Sequence, residues 1–174
     1  MLFLFSFDPL NDLETMKYSA VGTHNRHFEL IDERNVAHGK LGYTSWFSIG
    51  AEMAMNNGDN YEIDKNNVWH TSVHITKNGI EIGKMKFNWS GQIVIELEEG
   101  RTYIFKHGSL LRRRFILIDS DEREIVMLQP RFNWSELSFN YDIEADDNHT
   151  ESKDPAFILL LVYCSNFIQQ TGVA

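Results

Sequence analysis

Between residues 28 and 143, apolar and polar side chains alternate in short runs. The clearest run is "SELSFNYDIE", in which Leu137, Phe139, Tyr141 and Ile143 alternate with Ser138, Asn140 and Asp142. "QIVIELE" repeats the pattern with Ile93, Ile95 and Leu97. A period of two gives a strand one buried face and one wet face. Turn-forming residues separate the runs: Asp32-Glu-Arg-Asn, Asn56-Asn-Gly-Asp-Asn, Lys77-Asn-Gly, Trp89-Ser-Gly, Glu98-Glu-Gly and Asp119-Ser-Asp-Glu. Asn and Gly supply the positive φ that tight hairpins need. The pattern predicts a meander of short antiparallel strands. Pro130 is the one proline among them; it cannot donate to a ladder and predicts an edge or a bulge.

A longer period lies over this one. "FNWS" occurs at Phe87–Ser90 and again at Phe132–Ser135, and "TSWFS" around Trp46 is a degenerate third copy. Each copy closes a unit of apolar strand, acidic or Asn turn, apolar strand and tryptophan corner. The spacing suits a propeller blade or a repeated hairpin. Three copies are too few for a propeller, so repeated hairpins in one closed sheet fit better.

The pattern changes at residue 154. In "DPAFILLLVYCSNFI" Asp154 suits a helix N-cap and Pro155 the first helical position. From Ala156 to Ile168 every face of a helical wheel is apolar. Such a helix must be buried on all sides or sit in lipid. Thirteen residues span only about 20 Å, against a hydrocarbon core of about 30 Å, so lipid is the weaker choice. A buried strand is the other alternative, and the Asp-Pro start and the length favour a helix.

Ten to twelve strands and one fully apolar helix combine if the strands wrap the helix. The predicted fold is all-β: a closed antiparallel barrel around a central C-terminal helix. Its parts are an extension over 1–17, barrel strands over 18–143, an acidic linker over 144–153 and the helix over 154–170. "FELIDERNVAHGKL", "HITKNGIEIGKMKF", "FILIDSDEREIVML" and the helix stretch itself carry a further likeness. In them the chain resembles the tubby C-terminal-like superfamily, which includes the LURP-one-related and scramblase-like proteins. The resemblance covers about Tyr18 to Gln170 and implies a barrel of about twelve strands. Members bind phosphoinositides or have unassigned roles, and none is an established enzyme of ordinary metabolism. No ligand motif of the family matches residue by residue, so none is carried over.

Composition narrows the partners. A chain of 174 residues suits one domain, and a net charge of −9 opposes non-specific nucleic-acid binding. "MLFLFSFDP" lacks the positive n-region of a signal peptide, which makes the cytoplasm the expected location. The sequons at Asn88, Asn133 and Asn148 are then chance occurrences. Cys164, the one cysteine, lies inside the apolar stretch and is expected to behave as a small buried hydrophobe.

Catalytic and metal chemistry find no support. No Gly-x-Ser-x-Gly elbow or P-loop occurs. His70 and His74 are four apart on a strand, too far to share a metal, and His24 and His27 are uninformative. No cofactor, metal site or catalytic residue is expected. Trp46, Trp89 and Trp134 could form a sugar or lipid platform, but their repeated position favours packing at corners.

One polar cluster remains. "RRRF" places Arg112, Arg113 and Arg114 together, with Arg112 and Arg114 on one face of a strand and Arg113 on the other. Lys84, Lys86, Arg101 and Lys106 on neighbouring strands could extend the patch. Guanidinium groups suit phosphate through paired, charge-assisted hydrogen bonds. A solvated face balanced by acids is the plain alternative. The expected function is non-enzymatic binding through the outer surface, with anionic phospholipid headgroups or another protein as partner. The alternative is a calycin-type carrier of a small apolar ligand, in which the tail packs outside an open barrel.

Overall fold

The turn chemistry read from the sequence recurs in the computed structural model, which describes residues 15–23, 26–44, 50–64, 72–88, 90–109 and 113–171. Asp32 Oδ1 accepts the amide hydrogens of Arg34 and Val36 at 2.8 and 2.9 Å. Asp119 Oδ1 accepts those of Asp121 and Arg123, both at 2.9 Å. The two copies of "LID" therefore make one kind of turn. The "FNWS" copies match as closely. Asn88 Oδ1 accepts Ser90 N–H at 3.1 Å and Ser90 Oγ–H at 2.7 Å, and Asn133 takes the same bonds from Ser135 at the same two distances. The Asn-x-Ser sequons at 88 and 133 are side-chain-closed turns, which accounts for their spacing.

Twelve strands lie between and around these turns: β1 Thr15–Gly22, β2 His27–Asp32, β3 Ala37–Tyr43, β4 Ala51–Met55, β5 Asn60–Asp64, β6 Ser72–Lys77, β7 Ile80–Phe87, β8 Ile93–Leu97, β9 Thr102–Ser109, β10 Arg114–Ile118, β11 Glu124–Asn133 and β12 Ser138–Asp146. Each pairs antiparallel with the next, and β1 pairs with β12 to close the barrel. The seam runs from Thr15↔Asp146 to Ala20↔Tyr141. Gly22 lies beside it, where a Cβ would stand 2.1 Å from Ser138 Oγ and 2.4 Å from the Phe139 carbonyl oxygen. β1 starts inside the expected extension and β12 runs into the expected linker. Pro130 pairs with Tyr141 of β12, at a point where β11 has outrun β10, whose pairing stops at Leu128. Leu137 departs from the expected alternation. It sits in the turn before β12, exposed, instead of on the inner face.

Helix α1, Pro155–Thr171, occupies the lumen. Its residues from Ala156 to Asn166 are all buried. Tyr103 of β9 meets Phe157 edge-on, Tyr43 of β3 stacks on Tyr163, and Phe87 of β7 stacks on Phe167 at 4.0 Å. An all-round apolar helix thus finds an all-round apolar wall, the inner faces of the strands. Cys164 is fully buried within it, and burial pushes its thiol above the usual cysteine value. Asp154 Oδ1 accepts the Ala156 amide hydrogen at 3.0 Å as the expected cap. Asp154→Ala is expected to lower stability by about 1 kcal/mol, read by denaturant unfolding at neutral pH.

Strand direction gives the barrel two unlike rims. At the lower rim, where α1 begins, the strands are joined by the Asp32, Asn56, Asn78, Glu98 and Asp119 turns. At the upper rim, where α1 ends, lie the β9–β10 turn and the β11–β12 hairpin.

Candidate functional site

The expected basic cluster divides when placed on the strands. Lys84 and Lys86 project from the outer face of β7 and share one acid, Glu96 of β8, at 3.1 and 2.6 Å. Hydrogen bonds from Lys86 and Lys84 hold the Glu96 carboxyl below its ordinary value. Lys106 on β9 stands opposite Ile116 of β10. Arg114 opens β10 opposite Ser109 and directs Nη1 to within 3.3 Å of Met127 Sδ. Arg113 lies in the turn ahead of it with φ 47°, exposed, so it does not occupy the opposite face of a strand as expected. Arg112 lies outside the described residues.

Arg101 does not extend this patch. It precedes β9 at the lower rim, separated from the Arg113 turn by the whole strand, about 25 Å at strand rise. There its guanidinium pairs with Glu151, which is 7% exposed. Burial alone would raise the Glu151 carboxyl. Hydrogen bonds from the Tyr103 hydroxyl, a backbone amide and Arg101 overcome that and hold it below the ordinary glutamate value. A cleft of about 240 Å³ opens beside this pair, floored by Met53, Ile75, Phe157 and Leu160. Both cations on its rim are already paired, Lys77 with Asp59 at 2.8 Å and Arg101 with Glu151, and Glu98 and Asp154 also line it.

The two rims differ in charge balance: acids outnumber cations at the lower rim, which also carries Arg34, Lys77, Arg101, Arg123 and Lys153, while the upper end mixes cations with Glu52, Asp64, Glu136 and Asp142. Asp32-Glu33, Glu98-Glu99, Asp121-Glu122 and Asp146-Asp147 all fall at the lower rim. Lys86, Lys106, Arg113, Arg114 and Arg131 stand toward the upper rim, with Arg131 paired to Asp142 at 2.6 Å. The net charge of −9 averages over this uneven distribution. Composition could not show this, because the charge balance of each rim follows from strand direction.

The remaining candidates are placed as follows. His74 on β6 pairs with Glu81 at 3.0 Å, His27 opens β2, and His24 and His70 lie outside the described residues. Trp46 and Trp89 also lie outside them. Trp134 is described, and it is not a packed corner: it is 80% exposed at the tip of the β11–β12 hairpin. The turn is closed by Asn133 and Ser135, which leaves the intervening side chain free to point into solvent. Sequence reasoning missed Phe132 and Leu137 beside it, also exposed. The one signal available was an apolar residue placed within a turn.

No family model matches the chain, and no curated protein matches it. Among solved structures the chain is similar to a protein of Arabidopsis thaliana determined by X-ray crystallography. The match has a TM-score of 0.62 at 12% identity and covers 89% of this chain and 91% of that one. At that identity the likeness establishes the shared barrel fold.

Proposed function

We propose that this chain is a non-enzymatic binding domain of the tubby-like, LURP-one-related kind. It would engage anionic phospholipid headgroups through the upper end of its outer face, in the cytoplasm. The observation that carries this reading is the placement of Lys106 on β9, Arg114 at the start of β10 and Arg113 in the turn between them, all toward one rim, with Lys86 on β7 two strands away. No carboxylate is seen within ion-pairing distance of Lys106 or Arg113 among the described residues. Phosphate oxygens suit such groups, and a leaflet rich in anionic lipid attracts them. The acidic lower rim would face away from the same surface, so the difference in charge balance also sets an orientation. The sequence resemblance to phosphoinositide-binding proteins points the same way.

An open-barrel carrier would need a lumen, which α1 fills. Uptake of a fluorescent fatty acid discriminates the two, and none is expected.

The direct test is co-sedimentation with phosphatidylcholine vesicles, with and without phosphoinositide, at low and physiological salt. Binding is expected only with the anionic lipid, and it should weaken as salt rises. Replacing Lys106 and Arg113 together by Ala should remove about 2 kcal/mol, at about 1 kcal/mol per cation. That is a loss of about thirtyfold in affinity. Equal binding to neutral vesicles, or an unaffected double variant, would refute the proposal.

A further inference from the structure

The β11–β12 hairpin places a leucine at a left-handed turn position that the other described turns give to Gly or to polar residues. Leu137 adopts φ 48°, a left-handed conformation that strains a leucine and that turns ordinarily assign to Gly or Asn. The same residue is 73% exposed, so the strained position does not bury it. Trp134 is 80% exposed and takes no part in the hydrogen bonds that close the turn. Three of the six exposed large hydrophobic side chains among the described residues, Phe132, Trp134 and Leu137, fall within this one hairpin. Positive φ recurs in most of the described turns, so what folding does not call for here is the choice of apolar residues, Trp134 and Leu137, at positions left in water.

The hairpin is also held stiffly. Trp134 meets Phe132 edge-to-face at 4.7 Å, and Phe132 meets Phe139 edge-to-face at 5.2 Å, so the tip is braced on β12. Asn133 fixes the turn with two hydrogen bonds from Ser135. The Arg113 turn leads into β10, the strand that pairs with β11, and it opens at the same rim. Indole and leucine beside guanidinium groups match one environment, the boundary between anionic headgroups and acyl chains.

We infer that the β11–β12 hairpin is a membrane-interface anchor: Trp134 and Leu137 insert at the headgroup–acyl boundary while Arg113 and Arg114 engage lipid phosphates above them. This rests on the phospholipid reading and adds to it a depth and a contact element. A purely electrostatic contact would leave the hairpin in water.

The test labels Leu137→Cys on the full chain with an environment-sensitive fluorophore; Cys164 is fully buried and serves as an inert background thiol. Val36→Cys, exposed in the β2–β3 turn at the lower rim, is the control. On adding phosphatidylcholine vesicles that contain phosphatidylserine and phosphoinositide, the label at 137 is expected to shift to the blue and be quenched by nitroxide-bearing acyl chains. The label at 36 should do neither. Co-sedimentation is read on the same samples. Sedimentation without a change at 137 refutes insertion and leaves headgroup binding standing; no sedimentation refutes both. Unlabelled Trp134→Ser and Leu137→Gly should each bind these vesicles about tenfold more weakly, as expected for removing a large buried apolar group. Leu137→Gly should at the same time be at least as stable to heat, because glycine accepts the positive φ. A variant that loses stability and keeps its vesicle affinity would show the leucine to be structural and overturn the anchor.

Discussion

Leu161→Asp is expected to leave no soluble, folded protein. Leu161 lies midway along α1 with no exposed surface, and the described positions on either side of it are buried as well. A carboxylate there would have no counter-charge and no route to water. Burying an unpaired charge costs several kcal/mol, a large part of the roughly 5–15 kcal/mol that holds a domain together. Protonation lowers that cost without abolishing it, since the neutral acid still lacks partners and leaves a void. Leu161→Met, which conserves volume and polarity, should cost less than about 1.5 kcal/mol. Soluble yield and circular dichroism of the two variants, made in parallel, read the difference. A native, soluble Leu161→Asp protein would mean that α1 does not sit inside the barrel.

Arg101→Leu comes second. The substitution leaves the Glu151 carboxylate, 7% exposed, without its guanidinium. Breaking a buried pair from one side typically costs 3–5 kcal/mol, and because Arg101 is itself 44% exposed in its side chain, about 2–3 kcal/mol is the fairer figure. Glu151 immediately precedes the capped start of α1, so the loss loosens the point where the helix enters the lumen. The pH dependence distinguishes this from a packing defect. Glu151 is held below its ordinary value of 4.5 in the folded protein, so its contribution is present above that value and lost as pH falls below it. The gap between the parent chain and Arg101→Leu should be widest at neutral pH and should narrow in acid, where a protonated Glu151 no longer needs a partner. Urea titrations at several pH values measure it; a gap independent of pH would assign the effect to packing.

The elements with local causes were legible in advance. Asp154-Pro155 marks a cap and a first turn, and the cap hydrogen bond is there. The fully apolar wheel from Ala156 onward required burial on every side, and the lumen supplies it. Period-two runs such as Ile93–Leu97 became strands, and the repeated Asp and Asn-x-Ser turns became repeated hydrogen bonds at matching distances. The candidate site was legible only in part. Arg101, Lys106 and Arg114 read as neighbours on paper, yet β9 carries Arg101 to one rim and Lys106 toward the other. Trp134 shared a motif with Trp89, and the shared motif described the turn's hydrogen bonds and said nothing of where the indole would point.

The sequence by itself determined the strand meander through the middle of the chain, most of its turns, the C-terminal helix and that the helix must be enclosed; the strand bounds at Thr15 and Asp146 and the turns at Arg113 and Leu137 were not among them. Those properties follow from side-chain periodicity and from hydrogen bonds spanning two to four residues, so each is encoded in the stretch that shows it. The tertiary structure alone decided that Thr15 meets Asp146 to close the barrel, that acids outnumber cations at one rim and mix with them toward the other, and that Leu137 and Trp134 stand out in water. These depend on pairing between residues far apart in the chain. Register and direction are fixed there by burying all twelve inner faces against one helix at once, and no single stretch contains that condition.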